Sequence, residues 1–209
     1  MAQIAPTITS GNPEDFKKEI ERVESFSQRL HIDLADGHFA PSTLINPAQV
    51  WWPDGAIADI HIMFERPEEI LETLISLEPS LIIFQAESQG DLAGMIEHLK
   101  DMEFRTGIAM LKETSVESAN GLVEMVDHVL IFSGSLGYHG GKVQFSLLEK
   151  VAKAKEINPG AEIGWDGGIN DSNAAQLVQG GVDVLNVGGF IQNAEDPASA
   201  YRSIQDKLS

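Results

Sequence analysis

A histidine and an aspartate two residues apart, closing an apolar run, can hold a metal ion. The stretch His31-Ile32-Asp33-Leu34-Ala35-Asp36-Gly37-His38-Phe39 has that spacing, with a second acid and a glycine behind it. Residues two apart on a strand point to the same face, so His31 and Asp33 converge. Imidazole and carboxylate together make half of a metal site. Asp59-Ile60-His61-Ile62-Met63 ends the next apolar run, and Trp165-Asp166-Gly167-Gly168 ends a much later one. Two imidazoles and two carboxylates suit one divalent ion of borderline hardness: zinc, iron(II), manganese or cobalt. Such an ion between two aspartates suits proton abstraction next to a carbonyl. The ion polarises the carbonyl, one aspartate removes the proton and the other returns it.

Each of these residues alone has a plainer reading. A strand-end histidine such as His61 is usually a hydrogen-bonded structural residue. Asp33 and Asp36 can cap a loop or helix, and Asp36-Gly37 is an ordinary turn. Asp166-Gly167-Gly168 can be a tight turn before a helix. Their joint placement favours one shared, open site.

Glycine makes a second system, in Gly134-Ser135-Leu136-Gly137-Tyr138-His139-Gly140-Gly141-Lys142 and in Val187-Gly188-Gly189-Phe190. Glycine lets backbone amides approach an anion closely, and late barrel loops are a frequent phosphate site. The alternative is tight turns without a ligand. Lys142 reaches a phosphate or is simply solvated. Among the other histidines, His98 falls in a helix and reads as surface. His128 opens a strand at the far end, and His139 lies in the glycine-rich loop within reach of a substrate.

These residues need elements to carry them. Strand-like runs lie near Gln3–Thr9, Leu30–Leu34, Ala56–Met63, Leu81–Ala86, Arg105–Leu111, His128–Phe132, Ala161–Trp165 and Val182–Val187. Helical periods fill Pro13–Gln28, Pro67–Leu77, Leu92–Met102, Val116–Val126, Phe145–Glu156, Ser172–Gln179 and Pro197–Leu208, with a weaker one at Asn46–Trp51. Asn12-Pro13-Glu14-Asp15 puts an Asn cap before a first-turn proline and two acids. Ile20, Val23 and Ser27 share one side of that first helix, opposite Lys17, Lys18, Glu21 and Glu24. Eight alternations without a linker predict an α/β fold, a single (β/α)8 barrel over residues 1–209. The rival, an open doubly wound sheet, would favour a glycine-rich turn after the first strand, and Pro6-Thr7-Ile8-Thr9-Ser10 is none. In a barrel the C-terminal strand ends share one face, and the four metal-type residues sit at such ends.

Composition narrows the classes. A 43% hydrophobic and 22% charged chain of 209 residues is an ordinary globular protein. A net charge of −18 argues against nucleic-acid binding, which needs a basic footprint. Any phosphate must be held locally, by backbone N–H groups and helix N-termini. No run is apolar for membrane-spanning length, and no basic-then-apolar leader opens the chain. There is no cysteine, so thiolate metal sites are excluded. A cytoplasmic location is the default expectation. Trp51-Trp52-Pro53 is a candidate for an oligomer contact or a lid, unless one tryptophan simply packs under a neighbouring helix.

Taken in order, these segments resemble the ribulose-phosphate 3-epimerase family. Ile4-Ala5-Pro6-Thr7-Ile8 looks like its opening Ala-Pro-Ser-Ile-Leu. His31 to Pro41 closely matches His-x-Asp-x-Met-Asp-Gly-x-Phe-Val-Pro. Asp59 to Met63 matches Asp-Val-His-Leu-Met, and Trp165 to Ile169 matches Val-Asp-Gly-Gly-Ile. The resemblance implies a ribulose-phosphate-binding type of barrel and a phosphorylated sugar substrate. It implies one divalent metal on His31, Asp33, His61 and Asp166, with Asp33 and Asp166 as the acid–base pair. Thr7 and Met63 would contact substrate, and Gly140, Gly141, Gly168, Gly188 and Gly189 would hold its phosphate. A homo-oligomer is expected.

The departures fall on the substrate side. Thr7 stands for a serine, Ala35 for a methionine, and Phe132 or a neighbour for another. Phe-His-x-Glu after the fourth strand reads Phe84-Gln85-Ala86-Glu87. The loop Asn-Pro-Gly-Phe-Gly-Gly-Gln has become the longer Gly134–Lys142 segment, and a final Gly-Ser is Gly188-Gly189. The expected activity is metal-dependent epimerisation of a ketose phosphate, either ribulose 5-phosphate/xylulose 5-phosphate or a related sugar. The alternatives are a sugar-phosphate isomerase or lyase, and a barrel that binds without turnover. No lysine adjoins Asp33 or Asp166 to support a Schiff base.

Overall fold

The strand–helix alternation resolves into a closed ring of parallel strands in chain order. The computed structural model describes residues 2–208. Its strands are β1 (Gln3–Ile8), β2 (Arg29–Ala35), β3 (Ile57–Met63), β4 (Leu81–Gln85), β5 (Thr106–Met110), β6 (His128–Phe132), β7 (Glu162–Asp166) and β8 (Val184–Val187), with β8 returning to pair β1. Burial on both faces explains their near-continuous apolar runs.

Alternate residues serve two interiors. Ile32 and Leu34, Ile60 and Ile62, Ile163 and Trp165 join the main core with residues of the helical layer. Between them, inward-facing Leu81, Ile83, Ala109 and Leu130 make a separate apolar plug inside the ring. Below it, at the N-terminal strand ends, lies a charged network. Arg29 Nε donates to Asp59 Oδ2 at 2.7 Å and Nη2 to Glu162 Oε2 at 2.8 Å, and His128 Nδ1 lies 3.0 Å from the same Glu162 oxygen. His128 thus belongs to the stability face, as its strand-opening position implied. The opposite end carries the site.

The helices follow the sequence pattern with shifted ends. In α1 (Pro13–Val23) the Asn12 side chain accepts from the N–H groups of Glu14 and Asp15, and Phe16, Ile20 and Val23 are buried. The helix stops at Val23 rather than Gln28. Ser27, expected on its inner face, is buried in the turn beyond, where its hydroxyl donates to the Arg29 carbonyl at 2.8 Å. Helices α3 (Leu92–Asp101), α6 (Ala174–Gln179) and α8 (Pro197–Leu208) lie where expected. Three others begin with a 3-10 turn, at Pro67–Ile70, Glu117–Ala119 and Phe145–Leu147, before α2 (Leu71–Leu77), α4 (Asn120–Met125) and α5 (Leu148–Ile157). Asn46–Trp51 reduces to a 3-10 turn at Pro47–Gln49. The sequence pattern misses α7 (Gly189–Gln192), too short to show a period and opening on a glycine.

Trp51 remains half-exposed but sets its ring edge against Phe16 of α1, with centroids 6.1 Å apart. Trp52 packs partly on the main core. Among the described residues no helix is long and apolar enough to cross a membrane.

Candidate active site

Strand register assembles the site. The β2–β3 ladder sets Asp33 opposite His61 and His31 opposite Asp59. Asp166 ends β7, beside Phe132 on β6 and Asn186 on β8. Ring closure then brings His31, Asp33, His61 and Asp166 together, all buried, with one ligand-type atom from each within 4.8 Å of the others. His61 Nδ1 lies 2.9 Å from Asp33 Oδ1, and His31 Nε2 lies 3.4 Å from that oxygen and 3.9 Å from Asp166 Oδ2.

The donor set fits a divalent cation. Both ring nitrogens of His31 are buried and lack a hydrogen-bond partner among the described residues. Leaving such atoms unpaired in the interior is costly, and a metal ligand needs one of them bare. The groups that hold these side chains are also in place. Thr9 Oγ1 donates to the outer Asp33 oxygen at 2.8 Å, and the Gln85 amide lies 2.8 Å from His61 Nε2. If His61 Nδ1 is the ligand atom, Nε2 carries the proton and Gln85 must accept it through Oε1. That oxygen has no partner among the described residues, and turning the amide end for end supplies the bond.

The electrostatics separate the two aspartates. Burial opposes charge on Asp33, yet the adjacent His31 and His61 imidazoles hold its carboxyl well below the usual range. For Asp166, burial and then the Asp33 carboxylate push it up to about 7, against the pull of His31 and His139. Burial works against the charged form of both imidazoles. The Asp33 carboxylate overrides it for His31, which is raised, but not for His61, which is lowered. Carboxyls driven apart in this way are suited to opposite proton-transfer roles.

Above them opens a cleft. Thr7, Thr9, Asp33 and Asp166 form its base, and Gly140, Gly168, Gly188 and Gly189 border it together with Tyr138 and His139. Gly167 and Gly168 take φ of +108° and +76°, and a Cβ on either would strike backbone of the preceding loop, at Gly134 and Val143 respectively. The two glycine loops therefore interlock, which only residues without a side chain allow. Gly141 lies off the cleft wall, where a Cβ would sit 3.0 Å from Gly134 Cα, so it shapes the loop. Met63 is also off the wall, buried with Ala35, Ala40 and Leu44. Lys142 is exposed and does not line the cleft. His38 and His98 are exposed.

Four contributors were missed or undervalued in the sequence. Thr9 follows Thr7 by two and shares its face, a signal strand period carries. Gln85 and Asn186 sit at strand C-termini, and both polar atoms of the buried Asn186 side chain lack partners among the described residues. Glu19 comes from α1, outside the ring, and its contact with the loop after β6 leaves no trace in local pattern.

Comparison with known proteins agrees with this geometry. A family model described as the ribulose-phosphate 3 epimerase family matches residues 3–192. The ribulose-phosphate 3-epimerase of Helicobacter pylori is 32% identical over 211 residues, covering 98% of this chain and 97% of that protein. The chloroplastic ribulose-5-phosphate-3-epimerase of Arabidopsis thaliana is 27% identical, covering 97% of this chain and 75% of its own. Among solved structures, a 3-hexulose-6-phosphate synthase superposes with a TM-score of 0.74 at 13% identity, covering 99% of this chain and 100% of that one. That last likeness concerns the fold alone.

Proposed function

The chain belongs to the ribulose-phosphate 3-epimerase family, and from that premise we propose that it epimerises a ketose phosphate at the carbon next to the carbonyl. Ribulose 5-phosphate and xylulose 5-phosphate are the first candidate pair. The observation that carries the reading is the buried quartet of His31, Asp33, His61 and Asp166, in which two carboxyls converge beside an imidazole without a hydrogen-bond partner among the described residues.

His31, Asp33, His61 and Asp166 would hold one divalent cation, which when bound would polarise the substrate carbonyl and offset enediolate charge. Asp33, held ionised by its imidazole neighbours and oriented by Thr9, takes the α-proton. Asp166, entering from the other side of the ring, returns one to the other face, and the roles exchange in the reverse direction. The two enter from β2 and β7, which β1 and β8 separate in the ring. Backbone amides of Gly140, Gly168, Gly188 and Gly189 take the phosphate, with Gly141 shaping their loop. Thr7 lines the cleft with a buried hydroxyl that has no partner among the described residues. The apolar plug of Leu81, Ile83, Ala109 and Leu130 closes the ring below and excludes water.

The test is incubation of the metal-loaded protein in deuterated water with a panel of ketose phosphates. Deuterium entering the α-carbon with appearance of the epimer supports the reading. Absence of exchange with every member refutes it.

A further inference from the structure

Among the described residues lining the cleft, His139 alone is basic. Its surroundings are specific. Nε2 lies 3.1 Å from Glu19 Oε1, and the other Glu19 oxygen accepts the Thr9 backbone N–H at 2.8 Å. Glu19 is thus anchored on one side and engages the imidazole on the other. Nδ1 is buried and has no partner among the described residues. The ring lies so close over Gly188 that a Cβ there would meet Nδ1 at 2.6 Å, and a Cβ on Gly189 would be 3.8 Å from both the Gly140 backbone nitrogen and His139 Cβ. The free nitrogen therefore lies over Gly188, in the glycine-lined part of the cleft.

With Nε2–H donated to Glu19, the next proton the ring takes goes to Nδ1 and makes it a charged donor. Burial opposes that charge. Glu19 on α1, Asp33 on β2 and Asp166 on β7 favour it, and together they raise the imidazole above its ordinary value. The rest of the cradle offers only backbone dipoles, in a chain whose net charge of −18 repels a phosphate dianion.

We propose that His139 is a phosphate-binding residue of this chain, donating Nδ1–H to the phosphate group of the substrate while Glu19 orients the ring. The inference rests on the sugar-phosphate reading above and adds a charged side-chain ligand to its amide cradle. A purely structural role, in which the Glu19–His139 contact only pins the loop after β6 to α1, makes the opposite prediction in paired variants. His139→Gln can keep a donor toward Glu19 but has none at the Nδ1 position. His139→Asn keeps a donor at the Nδ1 position but cannot reach Glu19.

The experiment measures the dissociation constant of inorganic phosphate by calorimetry on the metal-loaded chain and both variants, with KM and kcat for the ketose phosphate. His139→Gln is expected to weaken phosphate about tenfold, the scale of one lost charge-assisted hydrogen bond, and to raise KM by a larger factor than it lowers kcat. His139→Asn should lose less. Unchanged phosphate binding in His139→Gln, or a larger loss in His139→Asn, overturns the proposal, as does a wild-type chain that binds no phosphate. If His139→Gln does not fold, His139→Phe replaces it and must weaken phosphate at least as much. Wild-type turnover with phosphate binding indifferent to position 139 defeats this inference alone. Phosphate binding that depends on His139 without turnover of any ketose phosphate defeats the epimerase reading alone.

Discussion

Asp33 and His61 are register partners on adjacent strands, and their side chains meet at 2.9 Å between Oδ1 and Nδ1. The same carboxylate accepts the Thr9 hydroxyl on its other oxygen, so its position is determined from both sides. Replacing it with asparagine preserves shape and removes the proposed base. Asp33→Asn is expected to lower α-proton exchange by about a thousandfold or more. Proton NMR in deuterated water measures the exchange, and an unchanged circular dichroism spectrum separates chemistry from unfolding.

The His31 nitrogens, without partners among the described residues, fit a site that a cation would complete. Stripping the protein with a chelator should abolish epimerisation, and adding back zinc, iron(II), manganese or cobalt in turn should restore it to different degrees. A cation bound only by the folded chain raises stability by about 2.7 kcal/mol at a hundred times its dissociation constant. The melting temperature should therefore rise with cation concentration, a readout independent of turnover.

Gln85 touches the site only through His61. Gln85→Leu removes the amide that, once turned, can accept the His61 Nε2 proton and should weaken cation affinity by roughly 10–100-fold, as loss of a group that orients a metal ligand does. Gln85→Glu, which keeps an acceptor there, should restore most of it. Competition against a metal-sensitive dye measures both. Equal affinity in wild type and Gln85→Leu would show that Gln85 merely fills space.

Stability against acid should come from the far end of the barrel. Burial raises the Glu162 carboxyl, but Arg29 and His128 hold it well below its ordinary 4.5. A carboxyl depressed in the folded state contributes stability that is full above its unfolded value and is lost as pH falls toward the folded one. Burial lowers His128 below its ordinary 6.5 despite Glu162 beside it, so its contribution also fades as pH falls below that value. The steep fall in melting temperature should lie below pH 4.5, where the Glu162 contribution is lost, because the raised Asp166 carboxyl offsets the His128 loss above it. Glu162→Gln should cost about 3 kcal/mol at neutral pH and flatten the acid limb below 4.5. Thermal melts between pH 3 and 8 test both.

Gly167 carries the interlock between the two glycine loops. Gly167→Ala adds a methyl group aimed at the Gly134 backbone and forces an alanine to φ near +108°. A loss of about 3 kcal/mol is expected from strain and collision together, with phosphate affinity falling because the loops separate. Gly160→Ala, whose Cβ would meet only a side-chain oxygen at 3.6 Å, is the control and should change neither.

Much of the site is legible in the chain because its parts obey local rules. His31 and Asp33 share a face since strands alternate, and Asp59 to Met63 and Trp165 to Gly168 announce themselves by ending apolar runs. Met63 and Gly141 show where such reading stops. Both carry the right motif position, yet one is buried under the loop after β2 and the other folds its own loop. Motif position does not encode which way a loop packs. Helix ends slipped for a related reason: α1 stops at Val23 although the apolar spacing continues to Ser27, because burial in a turn and burial on a helix leave the same mark.

By itself the sequence determined the barrel, the four strand-end histidines and aspartates and the glycine loops, since period-two and helical spacing act over a few residues. Only the tertiary structure decided what those residues do to one another. Asp166 is pushed up because ring closure buries it and brings Asp33 near it. Gln85 meets His61 across one ladder, and Glu19 meets His139 across 120 positions of chain. Electrostatic and hydrogen-bond energies depend on distances of a few ångströms in a low-dielectric interior. Closure of the ring, not local spacing, sets those distances.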